Sequence, residues 1–285
     1  MRLNKKYDIH QLRDYSSVFT RSEVMRWRES DWSSLRAKVE RYDPNLLKSQ
    51  CTYLTYIKYV YRVLEKFYPN EYVYKNEFIT KWLLEEIGIK DSILFSEFRL
   101  GKVVADLAMF NGISRVFEIK TLLDKETRLS NQVQQYRRLF NEVYLIVPEA
   151  KSTIYLKLDS DVGVIAYNQT NGSFELLRSA QFNIDISVDI LMEVLHTKEY
   201  ITLAKLYYGD LPPYNDFNKF KICKELIQQI PQEFLNNNFV LLMKARNVHN
   251  AFSKKENQFN QLCLSMNYDL DQRRKLLSKL STTIC

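Results

Sequence analysis

Three observations predict an α/β protein, a sheet-bearing middle segment between two helical ends. Apolar residues recur at three- and four-residue spacing through residues 1–90 and again through 181–285. Between 93 and 120 the period drops to two. A short, continuously apolar run, VYLIV at 143–147, then follows a helical segment and ends at Pro148. Helix-period ends around a strand-period centre define a mixed architecture.

Ser22 to Trp27 and Leu54 to Phe67 carry helical stripes, and Pro69-Asn70 punctuates them. In 71–88, Tyr74, Phe78, Trp82 and Ile87 form the next stripe, with Gly88 as its stop. ILFSEFRL (93–100) alternates in polarity, Gly101-Lys102 makes a tight turn, and VVADLAMF (103–110) is the second strand. Asn111-Gly112 is a type I′ hairpin signal leading to RVFEIK, 115–120. RLSNQVQQYRRLFN (128–141) is helical, with Leu129, Val133, Tyr136 and Phe140 on one face. VYLIV is a strand buried on both faces. VGVIAY (162–167) and SFELLR (173–178) are further strands joined through Asn171-Gly172. Helices resume at Val188–Leu195, Tyr200–Tyr208, Phe217–Ile230 and Arg273–Leu280. The expected organisation is a basic helical segment (1–70), a core (71–180) and a helical C-terminal domain (181–285).

Bulk properties narrow the class. The chain is 46% hydrophobic and 26% charged, an ordinary globular composition without a membrane span or an apolar secretory leader. The four cysteines are scattered with no C-x-x-C pair, which disfavours a zinc site or disulfide framework and fits a reducing cytoplasm. The three histidines (His10, His196, His249) stand near no nucleophile motif. Net charge is +7, and residues 1–70 alone hold 14 Lys and Arg against 8 Asp and Glu. That asymmetry points to a polyanionic partner.

The chemistry lies in the hairpin. Asp106 falls within an apolar strand, and Glu118 and Lys120 share one face of the next strand. Counted outward from the turn, the two acids are near neighbours across the ladder, with Cβ atoms roughly 4.5–8 Å apart. Two such carboxylates repel unless a cation compensates them. Oxygen-only ligation suits Mg²⁺ or Mn²⁺, with the Ile119 carbonyl as a third ligand. Such an ion lowers the pKa of a bound water and neutralises charge on a scissile phosphate, and Lys120 would assist.

This D-x11-E-x-K pattern after a helix resembles the PD-(D/E)XK nuclease superfamily, over residues 71–147. Asp106 matches the first acid and Glu118 with Lys120 the second element, while Ala105 replaces the usual proline. Gln132 and Tyr136 match the Q-x-x-x-Y helix of RecB-type nucleases. The string KNE…SEFRLGKVVAD…EIKT is similar to bacterial restriction-endonuclease-like proteins linked with phage defence. The resemblance implies a restriction-endonuclease-like core, a catalytic set of Asp106, Glu118, Lys120, Gln132 and Tyr136, and Glu77 as an extra metal ligand from the preceding helix. It also implies a Mg²⁺-dependent cytoplasmic nuclease acting on DNA in preference to RNA, with a second copy or another protein as a further partner. The alternative is a non-cleaving nucleic-acid-binding or accessory subunit. Glu97 is read as a surface ion pair with Arg99 or a functional acid, Asp124 as a helix cap, and Lys102 and Arg128 as phosphate contacts.

Overall fold

The structure, a computed structural model, describes residues 7–87, 92–122, 124 and 129–284, and the side chains of all of these but 85–87. Gly88, Arg128 and the Ile87 side chain lie outside the described residues.

Four helices open the chain: α1 (Ile9–Ser17), α2 (Arg21–Arg28), α3 (Ser33–Tyr42) and α4 (Tyr53–Phe67). The polar residues before them act as caps. Asp8 accepts from the Gln11 N–H at 2.8 Å, and Thr52 from the Thr55 N–H at 3.2 Å. Asn70 caps α5 (Glu71–Phe78) through the Val73 N–H at 3.1 Å, which is what the Pro69-Asn70 punctuation signals. α5 continues as a π-helical stretch, Ile79–Ile87.

The sheet has β1 (Ile93–Leu100), β2 (Val103–Phe110), β3 (Ser114–Ile119), β4 (Glu142–Pro148), β5 (Gly163–Asn168) and β6 (Ser173–Arg178). Its spatial order is the chain order. β1–β2–β3 and β5–β6 are antiparallel, while β3–β4 and β4–β5 are parallel. The parallel crossovers run through α6 (Leu129–Arg137) and through α7 (Ser152–Tyr155). The chain closes with α8 (Val188–Val194), α9 (Thr197–Tyr208), α10 (Lys219–Ile227), α11 (Gln232–Lys244), α12 (Asn260–Ser265) and α13 (Leu270–Leu280). The architecture is α/β with a six-stranded mixed sheet.

Strand alternation sorts the core. Ala108, Phe110, Val116, Leu145 and Val164 face α6 and α8–α11. Leu107, Met109, Phe117, Ile146 and Ile165 face α5, its π-helical continuation and Leu264 of α12. The N-terminal helices form another core around Trp27, Tyr56 and Val60, which they share with Cys263, Leu276 and Leu280. The 181–285 stretch therefore does not pack as one body. α8–α11 cover the sheet, whereas α12 and α13 reach the N-terminal helices. The stretch 247–253, without helix or strand, carries the chain across, with Val248 packed on the α8–α11 core and Phe252 on the α5 side of the sheet.

One turn differs from expectation. The β2–β3 loop has three residues, Asn111–Ile113, between the paired Phe110 and Ser114. Only Gly112 there has positive φ (+102°), so it is not a type I′ turn, which needs two. The extra residue matters because a one-residue slip moves every side chain to the opposite face.

Candidate active site

The pairs Phe110–Ser114 to Leu107–Phe117 fix the β2–β3 register. One step further, Asp106 stands opposite Glu118, and both share the sheet face of Ala108 and Val116. A two-residue turn would have set Asp106 against Phe117 and left the acids on opposite faces. The three-residue loop therefore creates the pairing. Lys120 extends β3 by one bond, from its N–H to the Ile146 carbonyl at 2.8 Å, and so keeps the face of Glu118.

Glu118 is the hub. Its Oε1 accepts from Lys120 Nζ at 2.8 Å and from Gln132 Nε2 at 2.9 Å, and its Oε2 accepts from the Tyr136 hydroxyl at 2.7 Å. Lys120 also donates to Gln132 Oε1 at 3.2 Å. Gln132 and Tyr136 lie one turn apart on α6 and so meet the strand together. The Tyr136 ring belongs to the core and is fully buried, while its hydroxyl reaches the acid, so one residue serves both roles. Burial, with Glu118 beside it, raises the Tyr136 pKa and keeps the phenol a donor. Glu118 and Lys120 are 3% and 9% exposed. A charge so buried is tolerated only with partners, and here each has several.

Asp106 has different partners. Its Oδ2 accepts from the Ile119 N–H at 2.7 Å, and its Oδ1 pairs with Lys75 Nζ at 2.8 Å. Lys75 also pairs with Glu71, one turn earlier on α5, at 2.5 Å. Burial pushes the Asp106 carboxyl up to about 6; Lys75 opposes this, and Glu118 and Glu71 add to it. Burial acts against the Lys75 charge, but Asp106 and Glu71 outweigh it and raise its pKa. Neither Lys75 nor Glu71 was marked out by the sequence. Their i,i+4 spacing was visible, but which face of α5 meets β2 was not.

Glu77 occupies a different place from the one expected. Its carboxylate accepts from the Tyr61 hydroxyl at 2.5 Å and pairs with Lys81 at 2.6 Å, facing α4. Of the two α5 acids, Glu71 is the one that stands near Asp106. Glu97 pairs with Arg21 of α2 at 3.0 Å instead of with Arg99. It lies opposite Asp106 in the β1–β2 register, and its φ of +56° interrupts the ladder there. A non-glycine residue so placed costs about 1–2 kcal/mol. Asp124 turns back to Thr121, accepting from its N–H at 2.7 Å and its hydroxyl at 2.8 Å. Lys102 is exposed in the β1–β2 turn.

Among the described residues no three His, Cys, Asp or Glu side chains gather where they could hold a metal ion. The donors that do converge are two carboxylates and one carbonyl. In an extended strand a residue's N–H and C=O point the same way, so the Ile119 carbonyl lies on the Asp106 side, where its N–H already bonds. Glu118 uses three of about four lone-pair directions, leaving one. Mg²⁺ keeps several waters and takes one or two carboxylates, so this set fits it. An ammonium, Lys75, already sits on Asp106, which marks the spot as one that accepts a cation.

Fold and cluster define an α/β protein with a buried acid–lysine cluster between a β-ribbon and the helix behind it. The chain belongs to the bacteriophage P4 protein cII family, whose model matches residues 65–268. It is 30% identical to Protein cII of Enterobacteria phage P4 over 98 residues, which is 33% of this chain and 37% of that protein. The match thus spans little more than a third of the relative's length. Among solved structures, a protein of unknown function from Silicibacter pomeroyi, SPO1766, aligns with 50% of this chain and 92% of its own at 14% identity and a TM-score of 0.32. That likeness is too loose to inform either fold or chemistry.

Proposed function

We propose that this protein is a Mg²⁺-dependent nuclease that hydrolyses phosphodiester bonds, of DNA in preference to RNA. The observation that carries the reading is Asp106 opposite Glu118, with Lys120 Nζ 2.8 Å from the Glu118 carboxylate. The order α5, β1–β2–β3, α6, β4 supports a restriction-endonuclease-like core, and the PD-(D/E)XK resemblance supports the chemistry. Phage defence is the setting that resemblance suggests, and a cytoplasmic location agrees with the reduced, widely spaced cysteines. No helix among the described residues is long and apolar enough to cross a membrane.

Asp106, Glu118 and the Ile119 carbonyl would hold the ion, with Glu71 as the outer acid in place of Glu77. When bound, the ion supplies an activated water and neutralises charge on the phosphate. Lys120 places an ammonium beside that point and stabilises negative charge that develops there. Gln132 holds Lys120 and Glu118 at fixed separation. Tyr136 orients the Glu118 carboxylate. Lys75 must leave Asp106 before the carboxylate is fully available to a metal.

A non-cleaving nucleic-acid-binding or accessory subunit is the second reading. It is favoured by the same compensation: Lys75 neutralises Asp106, and Glu118 is hydrogen-bonded on both oxygens without any ion. Incubation of plasmid and single-stranded DNA with Mg²⁺ or Mn²⁺ discriminates. The first reading expects cleavage by the wild type and none by Asp106→Asn or Lys120→Ala. Binding without cleavage under all conditions supports the second.

A further inference from the structure

We propose that the cleft between the end of α2 and one face of α13 is a phosphate-binding site that holds the backbone of a nucleic-acid strand. The cleft has a volume of about 390 Å³ and lies away from the acid cluster. Arg28, Lys275 and Lys279 line it. Lys275 and Lys279 are one helical turn apart on α13, so both ammonium groups face the same space.

Arg28, Lys275 and Lys279 are exposed, and exposed cations elsewhere in this protein, such as Arg21, Arg36 and Arg41, pair with a carboxylate. These three do not: among the described residues, neither Arg28, Lys275 nor Lys279 is within ion-pair distance of an acid. One carboxylate, Glu29, also lines the cleft and is likewise unpaired, leaving a formal charge of +2. Lys279 has a structural task, donating to the Arg28 carbonyl at the C-terminal end of α2. An ammonium has three N–H groups, so two remain. The Arg28 guanidinium contacts Met25 Sδ at 3.7 Å and the Tyr268 hydroxyl, and among the described residues Lys275 has no such task. Holding like charges together costs free energy that an anion would recover.

The uncharged lining fits the same ligand. Tyr268 is 5% exposed, and its hydroxyl lies against the Arg28 guanidinium, its neighbour in the cleft. Gln272 spends its amide oxygen on the Asp269 N–H in the α13 cap, which leaves its NH₂ as the group it can offer. The set therefore presents donors: a guanidinium fork, two ammoniums, a phenol and an amide. That is the complement of a phosphate, and arginine forks match phosphate bidentately.

The position favours a polymer over a small anion. α2 begins at Arg21, which holds Glu97 opposite Asp106, and ends at Arg28 in the cleft. Its eight residues span about 10 Å, roughly three nucleotides of one strand. A strand leaving the acid cluster along α2 would bring a phosphate to Arg28. The inference rests on the nucleic-acid part of the proposed function and is independent of cleavage.

The test is fluorescence anisotropy with a labelled 30-nucleotide strand in chelator, so that cutting plays no part, at several salt concentrations. The variants are Arg28→Gln/Lys275→Gln and, separately, Lys275→Glu, with melting curves to show that they fold. Affinity is expected to fall about tenfold or more in the double variant, with the salt slope smaller by about 1. Lys221→Gln, an exposed cation of α10 outside both the cleft and the acid cluster, is the control and keeps wild-type affinity. Unchanged affinity and slope in both cleft variants overturns the proposal. If the wild type ignores the strand but binds inorganic phosphate through Arg28 and Lys275, the anion site stands and the polymer assignment falls. If it binds neither, both fall. A wild type that binds the strand but does not cut it with Mg²⁺ or Mn²⁺ would sink the nuclease reading and leave the cleft in place.

Discussion

Lys75 Nζ lies 2.8 Å from Asp106 Oδ1, an ammonium held by a carboxylate in the place where the cluster would take a metal. On the proposed function the pair would compete with the ion, since both would need the same oxygen. Lys75→Met removes the competitor. A charge-assisted hydrogen bond contributes about 1.5–3 kcal/mol, so Mn²⁺ should bind about tenfold tighter in that variant at pH 8. Calorimetric titration of metal-free protein checks this, and weaker binding would mean that Lys75 supports the site instead of blocking it.

Glu77 and Glu71 separate structure from chemistry. Glu77 is 2% exposed and holds Tyr61 and Lys81. Glu77→Ala leaves a buried phenol without its acceptor and should cost about 2–4 kcal/mol in denaturant unfolding, with Mn²⁺ affinity unchanged. Glu71→Gln should do the opposite, weakening Mn²⁺ binding at nearly constant stability. A Glu77 variant that lost metal and kept its stability would restore the sequence expectation.

Much of the site was legible. Strand alternation put Glu118 and Lys120 on one face, and helical spacing put Gln132 and Tyr136 together. The facing of Asp106 and Glu118 was not fixed by the sequence, because Asn111-Gly112 suits a two-residue turn and the chain uses three residues. Choosing between Glu71 and Glu77 needed the rotation of α5 against the sheet. That rotation is set by Tyr74 and Phe78 packing onto Tyr167 and Phe117, residues about 40 to 90 positions away in the chain. α11 escaped notice because Asn236, Asn237 and Asn238 break its apolar stripe.

One of those asparagines explains itself in a buried network. Asn141 accepts from the Ser114 N–H and hydroxyl, both at 2.9 Å. It donates to the Asn183 carbonyl at 2.7 Å and to Asn236 Oδ1 at 2.6 Å. β3, the α6–β4 connection and α11 thus meet at a single amide. Asn141→Ala would orphan several buried groups and should destabilise the fold by about 3 kcal/mol or more, as read from the denaturation midpoint. Asn141→Asp restores only the acceptors and should recover part of the loss.

The C-terminal helices carry an acid-sensitive tie. Arg246 grips Glu199 through two bonds of 2.8 and 2.7 Å, and the His196 N–H adds a third at 2.7 Å. Burial alone would raise the Glu199 pKa, but these partners outweigh it and hold it below the ordinary 4.5. A depressed folded pKa gives stability that is present above 4.5 and lost as pH falls through the lower folded value. Wild-type Tm should therefore drop between pH 5 and pH 3 more steeply than that of Glu199→Gln. The two curves should converge at the acid end, and parallel curves would contradict the assignment.

The central claim is that Asp106 and Glu118 form an ion site across the β-ribbon. Anomalous diffraction from crystals soaked in Mn²⁺ tests it most directly. The account predicts a peak about 2.0–2.2 Å from oxygens of Asp106, Glu118 and the Ile119 carbonyl, with Lys75 displaced from Asp106. A map with no peak there at saturating Mn²⁺, and with Lys75 still bonded to Asp106, would contradict it.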